Sequence, residues 1–302
     1  MSGPFGGIDL GGTKIEARLF RGDAAETITL HRIPTPQDSF ESLLQAVIAQ
    51  IGWLEAQAGG PVPVGLSVPG LIDPATGISF ASNVPTTGRA LGPELAEALG
   101  RDFAIVNDCM AFALSEATGG AGDGAASVMG LILGTGVGGG ICQGGALPHR
   151  HAGLAVEVGH LGISARALAR HGLPVWPCGC GQQGCMERYV SGTGLANLAE
   201  WTLGERAEAP ELLRRDDDGA REVLDIWADL AGDALYAIQV MLDPDVIVLG
   251  GGLSNMPGVK ARLAASLAGQ RLGSARAPDI RVARHGDSSG ARGAALVARA
   301  RC

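Results

Sequence analysis

The sequence predicts an α/β protein of two lobes built on one plan. One observation is that an apolar strand runs into glycines three times. Gly7-Ile-Asp9-Leu-Gly11-Gly12-Thr13-Lys14 opens the chain, Val128-Met-Gly-Leu-Ile-Leu133-Gly134-Thr135-Gly136-Val-Gly138-Gly-Gly140 starts its second half, and Val246-Ile-Val-Leu249-Gly250-Gly251-Gly252-Leu-Ser254 comes near the end. The other is that stretches of helical periodicity separate these segments. At 302 residues, 46% apolar and 18% charged, the chain can bury a large core and is not disordered.

Taken in order, the first glycine turn is followed by Ile15, Ala17 and Leu19 alternating with Glu16 and Arg18, the period of a strand, so the opening segment is a hairpin. Helices are expected over 40–58, over 91–99 behind Pro93, and over 109–117. The second turn leads into the short apolar segment Ile141-Cys142-Gln143 and reads as a related hairpin. The clearest helix covers 220–242, where Val223, Trp227, Leu230, Leu235, Ile238 and Met241 recur at helical spacing until Asp243-Pro244 stops it. A last helix is expected over 291–301.

The charge of -8 lacks the basic face that a general nucleic-acid surface needs, although backbone N–H groups could still bind an anionic substrate locally. Met1-Ser-Gly-Pro-Phe has neither the basic nor the apolar region of a signal peptide, and 128–147 is uncharged but carries eight glycines, so it reads as buried strands. A soluble, cytoplasmic protein is expected, and its thiols would be reduced.

That matters for Cys178-Gly-Cys180-Gly-Gln-Gln-Gly-Cys185-Met-Glu187, where three cysteines fall within eight positions. With His160 upstream they have the composition of a closed Cys3His structural zinc site. A disulfide or redox role is the weaker alternative, since a Cys178–Cys180 bridge closes a cramped ring and leaves one thiol over.

Gly7-x4-Gly12-Thr13-Lys14 approaches a P-loop, but the Thr-Lys order is reversed and a strand follows. A glycine turn can still aim several N–H groups at a phosphate, with Thr13 and Lys14 beside it and Gly134-Thr135-Gly136 facing it from the other lobe. A dinucleotide fingerprint drawn through Gly134, Gly136 and Gly139 lacks its helix. Asp9 is either a turn residue or a carboxylate for Mg2+. Asn107-Asp108 is either a helix N-cap or the seat of a general base. Val68-Pro69-Gly70 and Ser82-Asn83-Val-Pro85 read as loops at strand ends. Glu157 lies three residues before His160.

Taken together, these motifs resemble the ROK family of bacterial sugar kinases and repressors. The residues that carry the likeness are Asp9-Leu-Gly-Gly-Thr-Lys-Ile, Asn107-Asp108, Leu133-Gly-Thr-Gly-Val-Gly-Gly-Gly, Glu157-Val-Gly-His160, the cysteine run and Gly250-Gly-Gly-Leu-Ser. Within the family the chain looks most like the bacterial N-acetyl-D-glucosamine kinases, through Phe112-Ala-Leu-Ser-Glu-Ala, Val128-Met-Gly-Leu-Ile-Leu-Gly-Thr-Gly, Pro244 to Asn255 and Ala283-Arg-His-Gly-Asp287. The resemblance implies a two-lobed actin-like ATPase (ribonuclease H-like) fold with ATP and sugar in the interlobe cleft. The expected lobes are 1–117 with the helix 291–302 packed back on it, and 118–290 carrying the zinc knuckle.

The resemblance further implies that ATP with Mg2+ meets Asp9, Gly11, Gly12, Thr13, Lys14, Gly134, Thr135, Gly136 and Gly138, with adenosine near Gly250, Gly251 and Gly252. Sugar would meet Gly70, Asn83, Asn107, Asp108, Glu157, His160 and Glu187, with Asp108 as base for the 6-hydroxyl. His160, Cys178, Cys180 and Cys185 would hold structural Zn2+. The implied reaction is ATP-dependent phosphorylation of N-acetyl-D-glucosamine, with glucose, N-acetylmannosamine or fructose as alternative substrates and a homodimer as the family expectation. A sugar-sensing repressor is disfavoured, because the turn at Gly7 leaves no preceding helix-turn-helix segment. One departure stands out: the family's Asn-Asp-Ala-Asn is Asn107-Asp108-Cys109-Met110 here, which removes a polar side chain at Met110.

Overall fold

The computed structural model describes residues 3–270, 272–286 and 289–301. Asp287, which ends one of the matched stretches, and Cys302, which ends the expected C-terminal segment, lie outside the described residues. The chain forms two compact units: Met1–Gly124 with Gly140–Ala155 and His285–Cys302, and Ala125–Gly139 with Val156–Arg284.

In the first unit the strands are β1 (Phe5–Leu10), β2 (Lys14–Arg21), β3 (Glu26–Pro34), β4 (Val64–Val68), the short pair β5 (Leu71–Ile72) and β6 (Ser79–Phe80), and β7 (Ala104–Asn107). The helices are α1 (Phe40–Ala58), α2 (Leu91–Leu99), α3 (Asp108–Ala117) and, from the far end of the chain, α10 (Ser289–Arg299). The main sheet has the order β3-β2-β1-β4-β7, with β1, β4 and β7 parallel and β2 and β3 antiparallel additions.

Alternation along β1 assigns the two faces. Ile8 and Leu10 join Leu43, Val47, Ile51 and Leu54 of α1 in one core, and each fully buried aliphatic side chain there contributes about 1.5–3 kcal/mol. Phe5, Gly7 and Asp9 fall on the opposite face, where Phe5 packs with Ala113, Cys142 and Ala295. The helix α10 lies against this face almost backbone to backbone. A Cβ on Gly7 would come 2.8 Å from the Ala291 carbonyl carbon, and one on Gly65 2.6 Å from that of Ala294. The helix presents Ala291, Ala294, Ala295 and Ala298 to it, all buried.

The unit bounds differ from the expected breaks at 117/118 and 290/291. Residues after α3 fold back on that helix, with Gly122 N–H donating to Glu116 O and Ala121 N–H to the Glu116 carboxylate, so the first unit continues to Gly124. Residues 140–155 join it because Gly140 packs on the Cys109 carbonyl and Cys142 enters the Phe5 core. Charge and glycine spacing give no sign of either.

The second unit contains β8 (Ser127–Leu133), β10 (Val246–Gly250) and β11 (Asp279–Val282), mutually parallel where paired. The first residues of β9 (Val137–Gln143) belong here and the last to the other unit. The sheet order is β11-β10-β8-β9. Its helices are α4 (Ala165–His171), α5 (Glu187–Val190), α6 (Gly192–Leu203), α7 (Ala209–Leu212), α8 (Asp218–Leu242) and α9 (Val259–Ala268). The long α8 starts at the N-cap Asp217, whose side chain accepts from Ala220 N–H, and it buries Trp227 completely. The Trp227 indole N–H donates to Val190 O at 2.9 Å, which ties α8 to α5. Among the described residues, no helix is long and apolar enough to cross a membrane.

Candidate active site

In the first unit, β1 ends at Asp9 and Leu10, and the chain turns through Gly11–Thr13 into β2, with Gly11 N–H donating to Lys14 O at 3.0 Å. Two side chains not anticipated from the sequence brace this turn. Thr35 Oγ1 donates to Gly11 O at 2.6 Å, and Gln37 Nε2 donates to Gly12 O at 2.6 Å and to Asn83 O at 3.3 Å. Gln37 therefore links the first glycine turn to the loop carrying Asn83. Its only sequence signal is a polar residue in a proline-bounded loop, which is no signal for a brace.

Of the two roles left open by the sequence, the structure gives the helix N-cap to Asn107. Asn107 is the N-cap of α3: its Oδ1 accepts from Cys109 N–H at 2.9 Å and from Met110 N–H at 3.2 Å, while its Nδ2 donates to Gly70 O at 2.8 Å. Gly70 needs its positive φ of 83°, and a Cβ there would lie 3.0 Å from Ala81 Cα. The cap thus fixes Gly70 and Asp108 together. Asp108 is the first residue of α3, and its Oδ1 accepts from Cys109 N–H at 2.8 Å. Met110 is buried, so it serves core packing.

Burial pushes the Asp108 carboxyl above its ordinary value, against the pull of the Cys109 N–H. Burial also pushes Asp9 up to about 6, with Asp108 and Glu16 acting in the same direction and the Ser67 hydroxyl and Lys14 ammonium opposing it. A general base has to be ionised, so activity is lost as pH falls through its raised pKa. With MgATP saturating, the acid limb of kcat is expected clearly above the ordinary Asp value of 3.8. A profile flat down to pH 4 would count against Asp108 as the base.

In the second unit the turn after β8 closes with Gly134 N–H donating to Gly136 O at 3.0 Å. It is fastened to the start of α6, where Gly192 N–H donates to Gly134 O at 2.7 Å and Thr193 Oγ1 to Thr135 O at 2.9 Å. The positive end of the α6 dipole therefore lies at this turn, which suits an anion. Gly251 has φ 79°, and a Cβ there would lie 2.5 Å from the Leu133 carbonyl carbon, so the third glycine run packs directly on the second. Together they border a cavity of about 750 Å3 lined by Gly134, Thr135, Thr193, Gly252, Leu253 and Met256 among others. Its size and its mixture of backbone polar groups and apolar walls suit a nucleoside. Thr193 and Met256 carry no motif and went unread in the sequence.

The cysteine knuckle is built by backbone bonds that curl it: Cys178 N–H to Gln182 O, Gly181 N–H to Cys178 O and Gly184 N–H to Trp176 O. One ligand atom from each of His160, Cys178, Cys180 and Cys185 lies within 4.8 Å of every other. Cys180 Sγ and Cys185 Sγ are 3.6 Å apart, and Cys178 Sγ is 3.9 Å from His160 Nδ1. Tetrahedral zinc with bonds of about 2.3 Å separates sulfurs by about 3.8 Å, so the four donors fit this ion. Burial pushes the Cys185 thiol up to about 12, and a divalent cation would have to displace its proton.

Glu187, two residues beyond the last cysteine, opens α5 and accepts from Val137 N–H through Oε2 at 3.0 Å. A Cβ on Gly136 would be 3.3 Å from the Glu187 carboxyl carbon. Glu187 therefore ties the knuckle to the glycine turn. Glu157 and His160 are both exposed, Glu157 preceding and His160 ending one short turn over Val158–His160.

The first unit thus gathers Asp9, the turn 11–14, Gly70, Asn83, Asn107 and Asp108. The second gathers the glycine turns, the knuckle, Glu157 and Glu187. Two glycine-turned α/β units, one with paired carboxylates and one with a nucleoside-sized cavity and a Cys3His cluster, define a protein of the actin-like ATPase fold. The chain belongs to the ROK family, whose model matches residues 5–301. It is 40% identical to an N-acetyl-D-glucosamine kinase of Escherichia coli O9:H4 (strain HS) over 298 residues, covering 96% of this chain and 98% of that protein. It is also 40% identical to the N-acetylgalactosamine kinase AgaK of Shewanella sp. (strain ANA-3) over 295 residues, covering 96% and 95%. Among solved structures, a ROK hexokinase from Thermus thermophilus superposes with a TM-score of 0.87 at 32% identity, over 99% of this chain and 98% of that one.

Proposed function

We propose that this protein is an ATP-dependent hexose kinase that phosphorylates N-acetyl-D-glucosamine at its 6-hydroxyl, giving the 6-phosphate and ADP. The observation that carries this reading is Asp108: a carboxylate at the first position of α3, bound at Oδ1 by the Cys109 N–H and pushed up by burial. Asp108 takes the proton of the 6-hydroxyl as that oxygen attacks the terminal phosphorus of ATP. Phosphoryl transfer asks little more of a protein than positioning and charge stabilisation.

The remaining residues divide those tasks. Asn107 and Gly70, joined by a hydrogen bond, and Asn83 hold sugar hydroxyls from one side, and Glu157, His160 and Glu187 supply further partners. N–H groups of turns 11–14 and 134–138 take the phosphates, assisted by Thr13, Lys14 and Thr135, and the cavity beside Gly250–Gly252 takes adenosine. Asp9 would hold Mg2+, which neutralises phosphate charge when bound. Zn2+ in the knuckle would be structural, held by Cys178, Cys180, Cys185 and His160, and with His160 Nδ1, 3.9 Å from Cys178 Sγ, as its ligand atom Nε2–H would be left as a donor. A reduced cytoplasmic setting suits its thiolates, and a homodimer remains the family expectation.

N-acetylgalactosamine is the second reading, favoured by the equal identity to a kinase named for it. The two sugars share the 2-acetamido group and differ at the 4-hydroxyl. The test is kcat/KM for N-acetylglucosamine, N-acetylgalactosamine, N-acetylmannosamine and glucose. N-acetylglucosamine is expected to lead, with glucose down by about tenfold or more. Glucose equal to or above both acetamido sugars would overturn the assignment.

A further inference from the structure

The start of α10 sits against Asp9. A Cβ built on Gly290 would meet three atoms of the Asp9 carboxylate before any other, with Cγ at 2.6 Å and Oδ2 at 2.9 Å. Gly290 is the second residue of that helix, so the carboxylate rests on bare backbone where any side chain would displace it. What fixes this wall in place is a buried carboxylate elsewhere. Glu116, fully buried on α3, accepts from His285 N–H at 2.9 Å and from Ser289 Oγ at 3.0 Å through Oε1, so it grips the chain on both sides of its entry into α10. Its other oxygen accepts from Ala121 N–H at 2.9 Å. Arg292, also buried, adds a second clasp one turn on, donating to Ser115 O at 2.7 Å and to Ala24 O at 2.8 Å.

We infer that Gly290 and Glu116 are positioning residues for Asp9: Glu116 anchors the first turn of α10, and Gly290 is the surface that holds the Asp9 carboxylate in the orientation needed for the nucleotide's divalent cation. One helix then governs both carboxylates, since α3 carries Asp108 at its first residue and Glu116 in its last turns. This rests on the reading of Asp9 as the cation's ligand.

The test is a double-mutant cycle with Gly290→Ala and Asp9→Ala, read in thermal stability, in binding of Mn2+ with ADP followed by paramagnetic resonance, and in kcat and KM separately. Gly290→Ala alone should lower Tm, weaken Mn2+ binding with ADP by about tenfold or more and lower kcat comparably, while the sugar KM stays within about twofold. In the Asp9→Ala background the same substitution should leave Tm unchanged, because its steric partner is gone. Glu116→Gln, which keeps the volume but loses one acceptor, should weaken Mn2+ binding less, again with the sugar KM unmoved. An equal loss of Tm in both backgrounds would overturn the inference, as would wild-type Mn2+ affinity in a folded Gly290→Ala protein. Because the Tm cycle and Mn2+ binding need no sugar, a wild-type protein that phosphorylates no hexose would refute the proposed reaction and leave the Asp9–Gly290 coupling to be decided on its own.

Discussion

Asp108→Asn is expected to reduce kcat by about 100- to 10,000-fold while sugar binding, measured calorimetrically without ATP, stays near the wild-type value. Asparagine keeps the shape of the side chain and can still accept from Cys109 N–H, so α3 retains its start and Asn107 its cap. Thermal stability should hold or rise. Burial raises the folded-state pKa of Asp108, so the native protein holds that proton more tightly than the unfolded chain does. Stability from this group therefore falls as pH climbs from the ordinary 3.8 through the raised value, and the full penalty is present at neutral pH. Removing the charge removes the penalty. A variant that turns over at near-normal rates would sink the assignment of the base. One that loses turnover and also loses Tm at pH 7 would point to a structural role.

Removing the metal is the second large effect. The protein is expected to carry one zinc per chain, and Cys185→Ser or exhaustive chelation should lower Tm by about 10 °C or more and raise the sugar KM well before kcat suffers. The knuckle is held by short backbone bonds and by the buried Cys178 and Cys185, without a helix or a long strand of its own. Its backbone is a series of tight turns through Gly181 and Gly184, both at positive φ, and two of the four candidate ligands, Cys180 and His160, are exposed. Its influence spreads through Glu187, whose bond to Val137 N–H would loosen with it. Added zinc should restore stability and sugar affinity without replacing Mg2+ in turnover. A chain that purifies with well under one zinc and keeps its sugar KM would contradict a structural ion here.

Much of this was written in the sequence, and the parts that were not share a cause. The helices over 40–58, 91–99 and 220–242 were legible because apolar residues recur at helical spacing and clear stop signals follow. The cysteine spacing, the glycine turns and Asn107-Asp108 were legible because each is local in the chain. The helix α6 escaped notice because it begins Gly192-Thr-Gly194, which reads as a turn until Ser191 caps it and Gly194 packs on Tyr189. The strand β3 escaped because it is an edge strand whose apolar alternation is limited to Ile28 and Leu30, both exposed. Gln37, Thr193 and Glu116 could not be read at all. The contacts that matter here, Gln37 to Gly12, Thr193 to Thr135 and Glu116 to Ser289, join residues 25 to 173 apart, and no local pattern encodes a contact at that separation.

The placement of α10 sets the order in which this chain can mature on the ribosome. The floor on which it lies, made by Gly7 and Gly65, is synthesised first, yet the helix that covers it is made last. Folding that proceeds from the N-terminus as residues emerge can finish most of the second unit before the first acquires its final layer. Until then Gly7 and Gly65 lack the helix that covers them, and Asp9 lacks the wall behind it. A nascent chain stalled near residue 284 would display the β1–β4 sheet with Gly7 and Gly65 uncovered, and the Asp9 carboxylate would meet its backing only once Gly290 is added.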